Sequence, residues 1–282
     1  MARYIVDESG KLAEAAPAPL PLIYTVVYGS DIYYECLLIF IRSLILYGKY
    51  KGKILIFTDR IGSEVERYIP EEAFNQVSLA AINHRNYSQR YINGDFSMND
   101  FSPIVYFDND IVFDLDIYPM LHKIWRASGA CVVTEDETYP EMSSQKVVDI
   151  VDSRRIGNWW GLEIIRSDFS CHDKIFPLAN SGVIGFPDYY VFSAIGGLVF
   201  DLYNSPPNEL LTKWFGDQPF LNYVLVKTGL GDYETLRGTC RFLGSAEAFS
   251  SDRRGLVHFN WARNEDKPTR MKAYLDYLRL LS

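Results

Sequence analysis

The 282-residue chain is 48% hydrophobic and 15% aromatic, enough to bury a sizeable core, and its length suits one large α/β domain or two closely merged halves. Its net charge of −8, from 28 basic and 36 acidic residues, argues against nucleic acid as a partner, which calls for a basic footprint. A polyanionic ligand would need local Lys and Arg, or a metal cation, to offset that field.

Residues 1–21, including the Ala/Pro-rich stretch 13–21, form an expected flexible lead-in with no apolar signal-like core. Leu22–Tyr28 is a β-branched and aromatic run suited to a strand buried on both faces. Gly29-Ser30-Asp31 interrupts it, with Ser30 or Asp31 as N-cap of a helix from about Tyr33 to Leu46. The apolar run Cys36–Leu46 is broken by Arg42 and too short for the ~20 residues of a membrane span. Lys53–Phe57 predicts a second buried strand ending in Thr58-Asp59, residues 63–74 a helix, Val77–Ile82 a third strand, and residues 87–100 a further helical stretch.

A fourth strand, Ile104–Phe107, runs into Asp108-Asn109-Asp110, with Asp114 and Asp116 beyond. Alternation of strands and helices with doubly buried strands predicts a Rossmann-like, mostly parallel sheet with helices on both faces, and ligands sit beyond the carboxyl ends of such strands. The later half offers strands at Ala130–Thr134 and Val183–Phe186 and helices near Gln218–Lys227 and Thr269–Leu281. Without a visible linker, residues 22–282 are expected to form one domain, with 22–118 as its first half and 119–282 as its second.

In an extended strand Asp108 and Asp110 share a face at roughly 7 Å. Unpaired, they repel by about 2 kcal/mol at an effective dielectric of roughly 20, and a divalent cation turns that repulsion into a binding site. Asp114 and Asp116 are expected to cap or solvate the next turn. Strand-end aspartates are also common as plain caps.

Five pieces in order resemble the nucleotide-sugar-dependent glycosyltransferases of GT-A fold, most closely the retaining enzymes of family eight: IYTVVYGSDIYYECLLIFIRSL, Arg90 in YSQRYI, YFDND, ANSGVIGF and GDQPFLN. A sixth, VHFNW with Lys267-Pro268 nine residues after the histidine, departs from the family's shorter spacing and leaves Arg263 as an alternative to Lys267. The resemblance implies a GT-A-like single domain moving a hexose from a UDP-linked donor to an acceptor hydroxyl with retention. It implies Asp108, Asp110 and His258 as ligands of Mn²⁺ or Mg²⁺, and Tyr28, Ser30, Asp31 and Tyr33 around the nucleoside. Arg90 and Lys267 would serve the donor phosphates, Asn180, Ser181 and Gly182 the donor sugar, and Asp217 and Gln218 the reacting carbon.

Trp159-Trp160 suit an acceptor sugar or plain packing. An inactive transferase-fold binding protein, a haloacid dehalogenase-like phosphatase and a calcium-binding module are the competing readings; the phosphatase expects Thr where Ile111-Val112 follow Asp110, and the calcium loop expects Gly and Glu where Phe113 and Pro119 stand. Four scattered cysteines without a CxxC pair point to a cytoplasmic protein with reduced thiols. The C-terminal helix, with Arg270, Lys272 and Arg279, offers a surface for peripheral membrane contact, a homodimer or docking on the core.

Overall fold

The computed structural model describes residues 4–6, 12–14, 20–92, 94, 96–152 and 155–281. Two short strands, β1 (Tyr4–Val6) and β2 (Leu12–Glu14), pair antiparallel, while residues 15–19 of the expected lead-in lie outside the described residues.

The apolar run after Leu20 forms β3 (Leu22–Val27), and Ser30 caps α1 (Asp31–Leu46) by accepting the Ile32 N–H. β4 (Lys53–Thr58) follows. The helix expected over 63–74 is instead one turn, α2 (Ser63–Glu66), and a 3-10 turn Glu71–Ala73, split by Pro70, which has no N–H and disfavours helix before it. β5 (Val77–Ala81) leads to a 3-10 segment, Tyr87–Tyr91, capped by Asn86. That segment replaces the helix expected over 87–100, and Gly94 beyond it takes a positive φ of 52°.

β6 (Ile104–Phe107) and β7 (Ile111–Phe113) flank the aspartate turn. Next come α3 (Tyr118–Trp125), β8 (Ala130–Thr134), α4 (Leu162–Ser167), β9 (Ala179–Phe186), α5 (Tyr189–Tyr203), α6 (Glu209–Phe215) and α7 (Gln218–Thr228). β10 (Gly231–Asp232), β11 (Cys240–Gly244), β12 (Leu256–Trp261) and α8 (Lys267–Leu280) complete the chain.

The central sheet has seven strands in the order β10-β8-β9-β6-β3-β4-β5, parallel except where β9 runs antiparallel between β8 and β6. One apolar layer, with Phe40, Ile56, Val105 and Ile124, and another, with Tyr24, Phe57, Ile184 and Phe192, sandwich it. Every residue of β6 and β9 is buried, which explains their unbroken apolar or small-residue character.

A second, three-stranded sheet, β11-β12-β7, is stitched to the first through the aspartate turn. Its register sets His258 opposite Ile111, one residue past Asp110, and the Phe259 N–H donates to the Asp110 carbonyl at 3.0 Å. α8 docks Met271, Tyr274, Leu275 and Leu278 on a separate apolar cluster with Val112, Val257 and Phe259. That docking is one of the roles expected of the C-terminal helix. No helix among the described residues is long and apolar enough to cross a membrane. All four cysteines are buried and free.

Candidate functional site

The functional groups converge where β6 ends. Asp108–Asp110 form a turn rather than a straight strand, so the two carboxylates lie closer than the extended spacing predicts. Ligand atoms of Asp108, Asp110 and His258 all fall within 4.8 Å of one another. His258 Nε2 is 3.1 Å from Asp110 Oδ1 and 3.6 Å from Asp108 Oδ2.

The antiparallel strand β9 closes the third side. The Asp108 N–H donates to the Gly182 carbonyl at 2.8 Å, and the Gly182 N–H donates to Asn180 Oδ1 at 2.8 Å. A Cβ on Gly182 would collide with the His258 ring and lie 2.8 Å from Asp108 Oδ2, so only glycine lets the strand pass this close. Asn180-Ser181-Gly182 therefore sit inside a fully buried strand, not in a turn before one.

The donor set suits a divalent cation on chemical and structural grounds. His258 Nδ1 is buried without a hydrogen-bond partner among the described residues, and His258 Nε2 and Asp110 Oδ1, 3.1 Å apart, have no other partner there. One imidazole nitrogen with one oxygen from each of Asp108 and Asp110 makes a mixed nitrogen and oxygen set.

Around this cluster runs a buried ion network. Arg90 is buried, donating from Nη2 to Asp108 Oδ1 at 2.7 Å and from Nη1 to Asp217 Oδ1 at 3.1 Å and Ser181 Oγ at 3.0 Å. Tyr106 Oη donates to Asp108 Oδ1 and Tyr91 Oη to Asp217 Oδ2, each at 2.5 Å. Burial pushes the Asp217 carboxyl up despite the Arg90 charge. Asp110 goes the other way: burial raises its carboxyl, but Lys267 and His258 outweigh that and hold it well below the usual carboxylate range. Lys267 Nζ lies 2.6 Å from Asp110 Oδ2.

Two clefts meet at the cluster. The first, of about 250 Å³, is lined by Tyr28, Tyr33, Tyr87, Asn109, Asn264 and Lys267. The second, of about 570 Å³, is lined by Glu135, Trp159, Ser181, Asp217, Gln218 and Trp261 among others. Arg90, Asp108, His258 and Asn260 border both.

Of the residues singled out from sequence, Tyr28, Tyr33, Arg90, Lys267 and the metal trio line the first cleft; Asn180, Ser181, Gly182, Asp217 and Gln218 line the second. Ser30 and Asp31 do not line either. Ser30 caps α1, and Asp31 is exposed and paired with Arg60 at 2.6 Å. Arg263, the alternative to Lys267, points to Asp266 at 3.0 Å outside the first cleft. Gln218 spans two segments, its Oε1 accepting the Ser181 N–H and its Nε2 donating to the Trp159 carbonyl, both at 3.1 Å.

Asp114 differs from expectation. It is buried, accepting from the Gly255 N–H at 2.7 Å, Tyr274 Oη at 2.8 Å and Arg241 Nη2 at 3.1 Å, and so ties the small sheet to α8. Asp116 does cap the next turn, accepting from the Tyr118 N–H.

Sequence reasoning missed Asn86, Tyr87, Glu135 and Asn260. Glu135 is buried beyond the end of β8, its carboxyl raised by burial and its Oε1 accepting from Asn180 Nδ2 at 2.8 Å. Its place at a strand's carboxyl end was an available signal; Asn260 shares the parity of His258 along β12, visible only once that strand is recognised.

No family model matches the sequence, and no curated protein does. The fold is similar to that of the bifunctional glycosyltransferase WbbM in its apo structure, with a TM-score of 0.52 and 14% identity over 89% of this chain. The matched region is 47% of that protein, so the chain spans about half its length. The molecule thus has a glycosyltransferase-like fold carrying a candidate Asp-Asp-His metal site.

Proposed function

We propose that the chain is a metal-dependent glycosyltransferase of the retaining family-eight type, moving a hexosyl group from a uridine diphosphate donor to an acceptor hydroxyl. The observation that carries this reading is the convergence of one ligand atom each from Asp108, Asp110 and His258, all within 4.8 Å of one another, where two clefts meet.

The sugar C–O bond breaks with its electron pair leaving on the diphosphate. The acceptor oxygen forms the new C–O bond, and its proton passes to the departing diphosphate, which has taken the electron pair of the broken bond. Asp108, Asp110 and His258 would hold a divalent cation, Mn²⁺ in preference to Mg²⁺ given the histidine, and it would supply Lewis-acid stabilisation of the diphosphate of roughly several kcal/mol.

Lys267 lines the donor cleft and lies close enough to turn its ammonium from Asp110 to a phosphate oxygen. Tyr28 and Tyr33 offer rings to the nucleoside from the same cleft. Arg90 fixes Asp108 and Asp217 relative to each other. Asn180, Ser181 and Gly182 present the sugar with a rigid, buried strand paired on both sides. Asp217, with both oxygens engaged by Arg90, Tyr91 and Ser181, orients the sugar together with Gln218 and is not a free nucleophile.

A thermal-shift screen of UDP- and GDP-sugars with and without Mn²⁺ tests this. Stabilisation by UDP ligands that requires the metal is expected. Metal-independent stabilisation, or none, contradicts the reading.

A further inference from the structure

The second cleft carries aromatic side chains that the proposed chemistry does not use. Four of the chain's five tryptophans line it. Trp160 is buried edge-on against Tyr139, with ring centroids 4.8 Å apart. The other three stay open: Trp159 is 50% exposed, Trp214 68% and Trp261 39%. They come from three separate segments, the 3-10 turn Ile156–Trp160, α6 and the end of β12.

None of these indoles is placed by core packing alone. α6 buries none of its residues, so Trp214 stands at a rim. Trp159 meets Phe215 edge-on at 5.3 Å, and Trp261 is backed on one face by Phe242 at 5.9 Å and 24°. Large apolar faces left in water cost roughly 25 cal/mol per Å², so converging them on one opening calls for an occupant. Beside them, Asn260 Oδ1 is buried without a hydrogen-bond partner among the described residues. The cleft also holds Glu135, Lys213 and Asp217, which ill suits an alkyl chain.

A pyranose ring matches both features. One face presents polarised C–H groups to the negative face of an aromatic ring, and its edge carries hydroxyl donors. The volume falls within the roughly 300–1,000 Å³ typical of small-ligand clefts. We propose that the second cleft takes the acceptor as a glycan, with a pyranose stacked on the Trp159, Trp214 and Trp261 rim and a hydroxyl donating to Asn260 Oδ1. This rests on the transfer reading above.

The test is retention of the full chain on an array of glucose-, galactose-, mannose- and N-acetylglucosamine-terminated oligosaccharides, with serine and threonine peptides and a polyprenyl phosphate as competitors in kind. It is run with and without UDP and Mn²⁺. At least one pyranoside class should retain the protein, and Trp159→Ala or Trp214→Ala should weaken this tenfold or more. Phe at either position should cost less. The UDP- and Mn²⁺-dependent thermal shift should be unchanged in these variants.

Retention on no glycan in either condition, retention equal in the Trp variants, or retention only on peptide or polyprenyl phosphate overturns the proposal. Loss of the UDP shift in the unaltered chain would instead fault the donor reading, so the two failures are separable.

Discussion

The two clefts that meet at Asp108 are built in opposite ways. The first lies over the ends of β3 and β6 and is completed by Asn264 and Lys267. Its walls are tied by polar contacts, Asn109 Nδ2 donating to the Tyr33 carbonyl at 3.2 Å and Asp59 accepting from the Gly29 N–H. Both clefts gather segments far apart in sequence, but the second leaves three indoles open to solvent. The contrast is one of aromatic exposure: tyrosines and polar groups dominate the first cleft, whereas the second adds an open tryptophan rim. Arg90, reaching Asp108 on one side and Asp217 on the other, joins them.

That contrast can be broken most severely at Arg90. Arg90→Leu strands two carboxylates, one of them deeply buried, and should cost about 3–5 kcal/mol of stability, read as a lower denaturant midpoint. A near-neutral result would mean that the clefts are not coupled through this side chain. Asp110→Asn acts on the chemistry shared by both clefts. It should lower Mn²⁺-dependent transfer by roughly 10²–10³-fold, the several kcal/mol expected of the Lewis acid, with thermal stability much less affected.

Gly182→Ala probes the point where β9 passes the metal ligands. The added methyl pushes on His258 and should destabilise by about 1–3 kcal/mol while weakening Mn²⁺ binding in a calorimetric titration. Ser30→Ala touches neither cleft directly and acts only on α1, beside the first. Loss of the α1 cap should cost about 1 kcal/mol in unfolding experiments and leave glycan retention unaltered.

What the sequence made legible follows the same division. The parallel strands β3, β4 and β6 announce themselves because both faces are largely buried, which makes each a mainly apolar run, whereas the edge strand β5 is only partly buried. The Asp-x-Asp turn, Arg90 and the Asp-Gln start of α7 were likewise recognisable, and they converge at one place. The strand carrying His258 was not foreseen: its register depends on pairing with β7, well over a hundred residues earlier, and its sequence alternates weakly. α5 escaped because Gly196-Gly197 interrupts its middle, although Gly196 is needed there, where a Cβ would press on the Tyr91 carbonyl. Asp114 looked like a turn residue because local sequence cannot reveal Arg241 and Tyr274 waiting to enclose it. Ser30 and Asp31 fell outside the clefts for a local reason: capping and pairing with Arg60 already occupy them.

The proposed chemistry requires a cation between the aspartate turn and β12, where the candidate site lies. Anomalous diffraction at the manganese edge, from crystals grown with UDP and Mn²⁺, tests it most directly. The account predicts a single strong peak bounded by Asp108, Asp110 and His258 and touching the diphosphate. Density for UDP in the first cleft with no peak at those three side chains would contradict it.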